Sequence, residues 1–199
     1  MSATRPRLAA EERRADLIDC GCRVFSRGSY RGTTTAEIAR ESGVTEPILY
    51  RHFGSKRDLY LACLDEAWAR VRAAWEAVIA AEPDPAEWTA AMGRAFTELK
   101  EQKVMLHNLW VQSLAEASED PEIRKYLRRH LRDVHAFVTG VIRRAQEGGH
   151  IPPDRDAEAE AWIFIAVGLL GALGQRLGLT EPDLQRIRAE RLRWITGRG

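Results

Sequence analysis

Apolar positions along the chain fall into stretches with helical periodicity, separated by glycines, prolines and capping residues. Between residues 8 and 27, Ala15, Ile18, Cys22 and Phe25 recur at helical spacing, Leu17, Gly21 and Val24 widen the stripe, and Gly28 closes it. Residues 1–7 carry no such pattern and read as a loose end, or as an arm in which Arg5 and Arg7 reach a phosphate backbone. Two short helices follow. Thr34 and Glu37 have the spacing of a capping box ahead of Ile38 and Ala39, and Gly43 interrupts them as a residue able to take left-handed backbone would. Thr45 caps the next, Pro47 falls in its first turn, and Ile48, Leu49, Tyr50 and Phe53 carry it to Gly54. Ser55 with Asp58 starts a long pattern from Lys56 to about Ala81, roughly 26 residues or nearly 40 Å at the usual rise, which Pro83 and Pro85 end.

The remainder is helical in period throughout. Helices are expected over 86–101, 103–117, 122–147 and 156–177, and a last one is capped by Thr180 and Glu181-Pro182-Asp183. With nothing resembling a strand-rich segment, the fold class is all-α with about nine helices. A three-helix unit at residues 1–55 precedes a larger helical domain at 56–199. In the first, Phe25 and Tyr30 pack on the later pair of helices with Ile38, Val44, Leu49 and Phe53. Two short helices joined by a Gly-containing turn describe a helix-turn-helix, whose second helix can enter a DNA major groove.

Trp162 to Gly174 is apolar on almost every side, and its 13 residues fall short of a membrane span. Gly168, Gly171 and Gly174 each cost roughly 1 kcal/mol in a helix against Ala, which makes sense where another helix backbone approaches closely. Such a stretch is either an interior helix of the monomer or half of a four-helix bundle between two subunits. The homodimer is preferred, because it also supplies two DNA-reading heads at a fixed separation. Its candidate interface is Trp162, Ile165, Gly168, Leu169, Gly171, Ala172, Leu184, Ile187 and Arg191.

Charge alters this picture little. The formal net charge is +1, and residues 1–60 hold 11 Arg or Lys against 8 Asp or Glu, a local excess of 11 − 8 = +3. That is a modest nucleic-acid footprint, and a nonspecific DNA-compacting protein would need more. Cys20, Cys22 and Cys63 form no disulfide framework or metal pattern, and read as buried thiols of a reducing compartment. With no apolar signal-peptide region at the start, the expected location is cytoplasmic, with no membrane partner.

In one register, the chain carries Gly28-x-Tyr30, Thr33-Thr34, Ile38-Ala39, Ser42-Gly43-Val44-Thr45, Leu49-Tyr50-x-His52-Phe53, and Ser55-Lys56 followed by Leu59. Over about residues 10–60 it resembles the TetR family of transcriptional regulators; beyond about residue 65 the likeness is one of layout. The resemblance implies DNA binding by the first three helices, effector binding in the helical domain and homodimerisation through the last two helices. It implies that Thr34, Thr45, Tyr50 and Lys56 meet the phosphate backbone of double-stranded operator DNA. It also implies that Glu46, Pro47 and Ile48, with Arg51 and His52, face bases or flanking phosphates. Thr35 departs from the family's usual aliphatic residue, a small loss of core because its methyl still packs. Glu46 is a second departure, which either accepts from cytosine N4 or points away from the groove.

For the effector, the family places a pocket among the middle helices, and Met92, Phe96, Trp110, Tyr126, His130 and Phe137 are the candidates there; ordinary core is the alternative for each. Their aromatic bias favours a small, largely apolar or aromatic molecule, although Glu98, Glu101 and Glu116 would welcome a cation. The expected activity is that of a homodimeric repressor released from a palindromic operator by its effector. The alternatives are an activator, or a regulator without an effector. Enzyme chemistry has little support: His107, His130, His135 and His150 are scattered, with no nucleophile pattern, phosphate loop or metal signature, and nothing calls for a cofactor. A helical adaptor would leave the residue 33–53 motif unexplained.

Overall fold

A computed structural model describes residues 4–102, 104–177 and 181–197, and the side chains of residues 10–96, 98, 109–171, 174, 182, 183 and 185–197. Among these residues there are nine α-helices, one 3-10 turn and no strand. They are α1 (Thr4–Arg27), α2 (Thr35–Glu41), α3 (Glu46–His52), α4 (Lys56–Ala81), the 3-10 turn Pro85–Glu87, α5 (Trp88–Gln102), α6 (Val104–Glu116), α7 (Pro121–Glu147), α8 (Ala157–Leu177) and α9 (Glu181–Thr196). The loose end expected over residues 1–7 is corrected in part, because α1 already begins at Thr4. Pro6 permits this, since a proline is tolerated in a first helical turn. The side chains of Arg5 and Arg7 lie outside the described residues, as does Thr180, the cap expected for α9. Pro85 delays the fifth helix: Asp84 Oδ1 accepts from the Ala86 N–H at 2.9 Å, and this closes a 3-10 turn before Trp88.

The chain forms two compact units, Met1–Arg70 with Gln102–Leu127, and Val71–Glu101 with Arg128–Gly199. The boundary expected at 55/56 falls inside the first of these units; compactness divides the chain elsewhere, because α4 and α7 each run through both units. In the first unit, Leu17 and Phe25 of α1, Ile38 of α2, Leu49 of α3 and Leu59, Tyr60 and Leu64 of α4 are fully buried together. A three-helix unit this small needs apolar support. It comes from Leu109 of α6 and from Ile123 and Leu127 of α7, which join the same core. Tyr60 stands edge-on to Phe25 at 4.9 Å between centroids, and its O–H donates to the Leu109 carbonyl at 3.4 Å. Gly21 allows α1 to lie close on α4, since a Cβ there would come within 2.9 Å of Cys63 Sγ. The three thiols are buried and turned to carbonyls: Cys20 to Ile38, Cys22 to Cys63 and Cys63 to Ile18. Burial pushes the Cys63 thiol up.

The second unit is built around Trp75 of α4. Its indole N–H donates to the Met92 carbonyl at 3.0 Å. Its ring stacks on Phe137 at 5.9 Å, meets Phe164 edge-on at 5.6 Å and lies 6.4 Å from Phe96. Val138, Val141, Ile142, Ile151, Ala161 and Ile195 are among its other buried apolar residues. The Gln146 amide donates to the carbonyls of Pro152 and Arg155, at 3.0 and 2.8 Å, and ties down the loop after α7.

Candidate nucleic-acid interface

Short-range bonds shape the helix-turn-helix. Thr34 has extended backbone and its hydroxyl accepts from the Glu37 N–H at 3.1 Å, which caps α2. Gly43 takes φ +67° in the turn, and a Cβ there would meet nothing within 4 Å. Backbone conformation rather than space therefore requires glycine. The Val44 N–H then donates to the Ala39 carbonyl at 3.0 Å and directs the chain to Thr45.

Thr45 occupies the N-cap of α3, yet its hydroxyl caps nothing. A cap side chain takes the N–H of the second or third helical residue. Here the second is Pro47, which has none, and the N–H of the third, Ile48, already donates to the Thr45 carbonyl at 3.0 Å. Thr45 is exposed. Ser55 repeats the conventional arrangement at the head of α4, accepting from the Asp58 N–H at 3.1 Å.

On α3, Leu49 is buried against the core, while Pro47, Tyr50 and Arg51 are exposed, Tyr50 by 46%, and Ile48 and His52 are half-buried. Glu46 is half-buried, and its carboxylate turns back to α2 and accepts from the Thr35 hydroxyl at 2.6 Å. The same hydroxyl lies 3.1 Å from the Tyr50 hydroxyl. Thr35 is thus a buried polar junction, a role that its methyl does not signal. Lys56 holds its ammonium over the Tyr30 ring, 4.7 Å from the centroid, and burial lowers its pKa.

Ion pairs link the residues on either side of the helix-turn-helix to the end of α6 and the α6–α7 turn. Arg31 pairs with Glu119 and, at 3.4 Å, with Glu116; Arg57 pairs with Asp120 at 3.1 Å. Glu116 is therefore engaged by a guanidinium of its own chain. Asp120 also accepts from the N–H groups of Glu122 and Ile123 at the head of α7. Burial works against its charged form, but those N–H groups and Arg57 outweigh it and hold the carboxyl below its ordinary range. These pairs join residues more than sixty positions apart, and no local pattern signals them.

The effector candidates do not share one unit. Met92, Phe96, His130 and Phe137 belong to the second, with Met92 and His130 buried; Trp110 and Tyr126 belong to the first. The Tyr126 hydroxyl donates to Asp65 Oδ1 at 2.6 Å. The aromatic group around Phe96 and Phe137 instead includes Trp75 and Phe164. Trp75 is one of many apolar residues along α4. Among the described residues no cluster of His, Cys, Asp and Glu could hold a metal.

Of the interface candidates, Trp162 and Ile187 are exposed, and Ile165, Gly168 and Leu169 are half-buried. A Cβ at Gly168 would meet open space within the chain. Gly171 is buried in its own chain, and Arg191 pairs with the buried Glu160. The side chains of Ala172 and Leu184 lie outside the described residues. Ile163, Leu170 and Trp194 are further exposed apolar side chains of α8 and α9. A groove of about 840 Å³ runs along these helices, lined by Ile163, Arg186, Ile187 and Trp194 among others. Among the described residues no helix is long and apolar enough to cross a membrane.

Residues 17–63 match the bacterial regulatory proteins of the tetR family, and residues 85–193 match the BetI-type transcriptional repressor C-terminal family. The chain is 28% identical over 198 residues to the HTH-type transcriptional regulator TtgR of Pseudomonas putida, covering 96% of this chain and 91% of that protein. It is 45% identical over 58 residues to the HTH-type transcriptional activator FasR of Mycolicibacterium smegmatis, a match spanning 29% of this chain and 26% of that protein. A TetR-family regulator structure from Agrobacterium tumefaciens superposes with a TM-score of 0.79 at 22% identity, covering 94% of this chain and 99% of that one. The chain belongs to the TetR family, and is a ligand-responsive DNA-binding transcriptional regulator rather than an enzyme.

Proposed function

We propose that the protein is a homodimeric repressor that grips a pseudo-palindromic operator through α3 and releases it when a small, largely apolar effector enters the second unit. Function then divides near residue 55/56, with DNA contact before it and effector binding and dimerisation after it. The observation that carries the DNA reading is the outer face of α3, where the exposed Thr45, which does not cap its own helix, stands at the helix head and Pro47, Tyr50 and Arg51 are exposed. Thr34 and Lys56 flank this face as phosphate contacts, and Ile48 and His52 lie beside it. Glu46 serves from behind. Two-fold symmetry of the protein imposes two-fold symmetry on the half-sites. Repression is supported by the match of residues 85–193 to a family of repressors. The stretch shared with an activator keeps activation as the second reading. DNA as partner makes the cytoplasm the place of action.

The surface on α8 and α9 supports pairing with a second copy: Trp162, Ile163, Leu170, Ile187 and Trp194 leave apolar area in water that a four-helix bundle would remove. For the effector, the group Trp75, Phe96, Phe137 and Phe164 supports an aromatic or lipophilic molecule, with the buried His130 as a polar contact. α4 and α7 belong to both units, so a ligand that shifts them in the second reaches the DNA-binding helices through continuous backbone. An effector acts only by preferring the released state, and typical couplings change affinity roughly 5–150-fold. By reciprocity, operator must weaken effector binding by the same factor. Calorimetric titration of aromatic and lipophilic compounds, with and without operator, tests this; equal affinities in both titrations would exclude induction by that compound.

A further inference from the structure

We infer that Thr35, buried behind the recognition helix, sets which bases that helix reads, because its hydroxyl holds the Glu46 carboxylate and the Tyr50 phenol against α2. A threonine hydroxyl has one proton and two lone pairs, and a carboxylate only accepts. At 2.6 Å from Glu46 Oε1, the Thr35 proton is committed to the carboxylate. The Tyr50 hydroxyl at 3.1 Å must then be the donor to Thr35. The bonds run in one direction, from Tyr50 to Thr35 to Glu46. Glu46 and Tyr50 are one helical turn apart on α3, so a single hydroxyl at the start of α2 fixes two points along one edge of the reading helix.

The junction has two consequences for recognition. It draws the only carboxylate of α3 away from the face that meets DNA, where it would repel phosphate or accept from cytosine N4. It also occupies the Tyr50 proton, so a phosphate that takes this proton must compete with Thr35. Valine has the shape of threonine without the hydroxyl, and a methyl in its place forbids a 2.6 Å approach. In Thr35→Val the carboxylate loses its only partner on α2 among the described contacts and turns to the groove.

The inference rests on α3 as the reading helix, and the test separates the two. Full-length wild type, Thr35→Val, Thr35→Ser and Ile48→Ala would each select binding sites from random duplexes, with folding verified by thermal unfolding. Thr35→Ser, which keeps the hydroxyl, should return the wild-type half-site. Thr35→Val should enrich cytosine opposite the start of α3 by about fivefold or more, the lower end of one base contact. That enrichment should vanish in Thr35→Val/Glu46→Ala. Should the valine variant not fold, Thr35→Ala removes the same hydroxyl and carries the same expectation. If Ile48→Ala changes the half-site and Thr35→Val does not, Thr35 sets nothing and the inference fails alone. If neither changes it, α3 is not the reader and both fall.

Discussion

The two compact units differ less in their helix caps, which both possess, than in what they leave at the surface. In the first, Thr34, Ser55 and Asp120 each accept N–H groups at a helix head, and Thr35 joins α2 to α3. Arg31 and Arg57, on either side of the helix-turn-helix, pair with the turn between α6 and α7. What stays outside on α3 is small in number and polar or rigid. In the second unit the centre is an indole among phenyl rings, and the outside of α8 and α9 keeps large apolar side chains, with Trp194 57% exposed. Directional bonds suit a surface whose atoms must meet fixed phosphates and bases. Apolar contact suits a cavity or a subunit face that accommodates shape rather than register.

Breaking the apolar centre should have the largest effect. Trp75→Ala removes the ring that touches Phe96, Phe137 and Phe164, and should destabilise the protein by about 3–5 kcal/mol in denaturant unfolding. A loss below about 1 kcal/mol would show that the second unit is not organised around it. Next comes the outer face: Ile187→Glu should weaken self-association by roughly 3 kcal/mol or more if it leaves a charge buried between subunits. Sedimentation at micromolar concentration should then find monomer where wild type is a dimer, and a wild-type monomer would end the proposal. A charge at Gly171 is a poorer probe, because that residue is buried within its own chain and would damage the fold first.

On the directional side, Lys56→Ala should weaken binding to most operators alike and lower the salt slope by about 0.9 if one phosphate is neutralised. An unchanged slope would leave Lys56 only its place on the Tyr30 ring. The smallest effect belongs to Asp120→Asn, where asparagine can still cap α7 but loses the charge facing Arg57. A carboxyl held below its ordinary range contributes stability that is present above the usual aspartate pKa of about 4 and is lost as pH falls through the folded value. Unfolding midpoints of the variant and wild type should therefore differ at neutral pH and converge in acid. A constant offset would assign the difference to packing.

Legibility in the sequence follows the range of the forces involved. The caps at Thr34 and Ser55 and the left-handed Gly43 act within four residues, and the helix-turn-helix can be read from them directly. The core positions Phe25, Ile38, Leu49 and Phe53 follow from periodicity on short helices with a single possible inner face. Thr35 escapes such reading because its partners lie 11 and 15 positions away and its methyl suggests a packing role. Trp75 is hidden among many other apolar residues on a helix that shows no single inner face over its length. Trp110 and Tyr126 look like pocket residues by type, but α6 and the first residues of α7 belong to the first unit. Periodicity identifies helix faces; it does not say which neighbour each face meets.

The three cysteines of the first unit have a practical consequence. A thiol reagent reacts with thiolate that solvent can reach, and Cys20, Cys22 and Cys63 are at most 1% exposed. All three are packed into the core shared by α1, α2 and α4. Their labelling clock therefore runs only while this unit is open, and the rate at which the native protein takes up a thiol reagent measures its local opening separately from global melting. The chain carries its own chemical stopwatch for the DNA-binding unit, with no engineered probe, and operator or effector can be read by whether it slows or quickens.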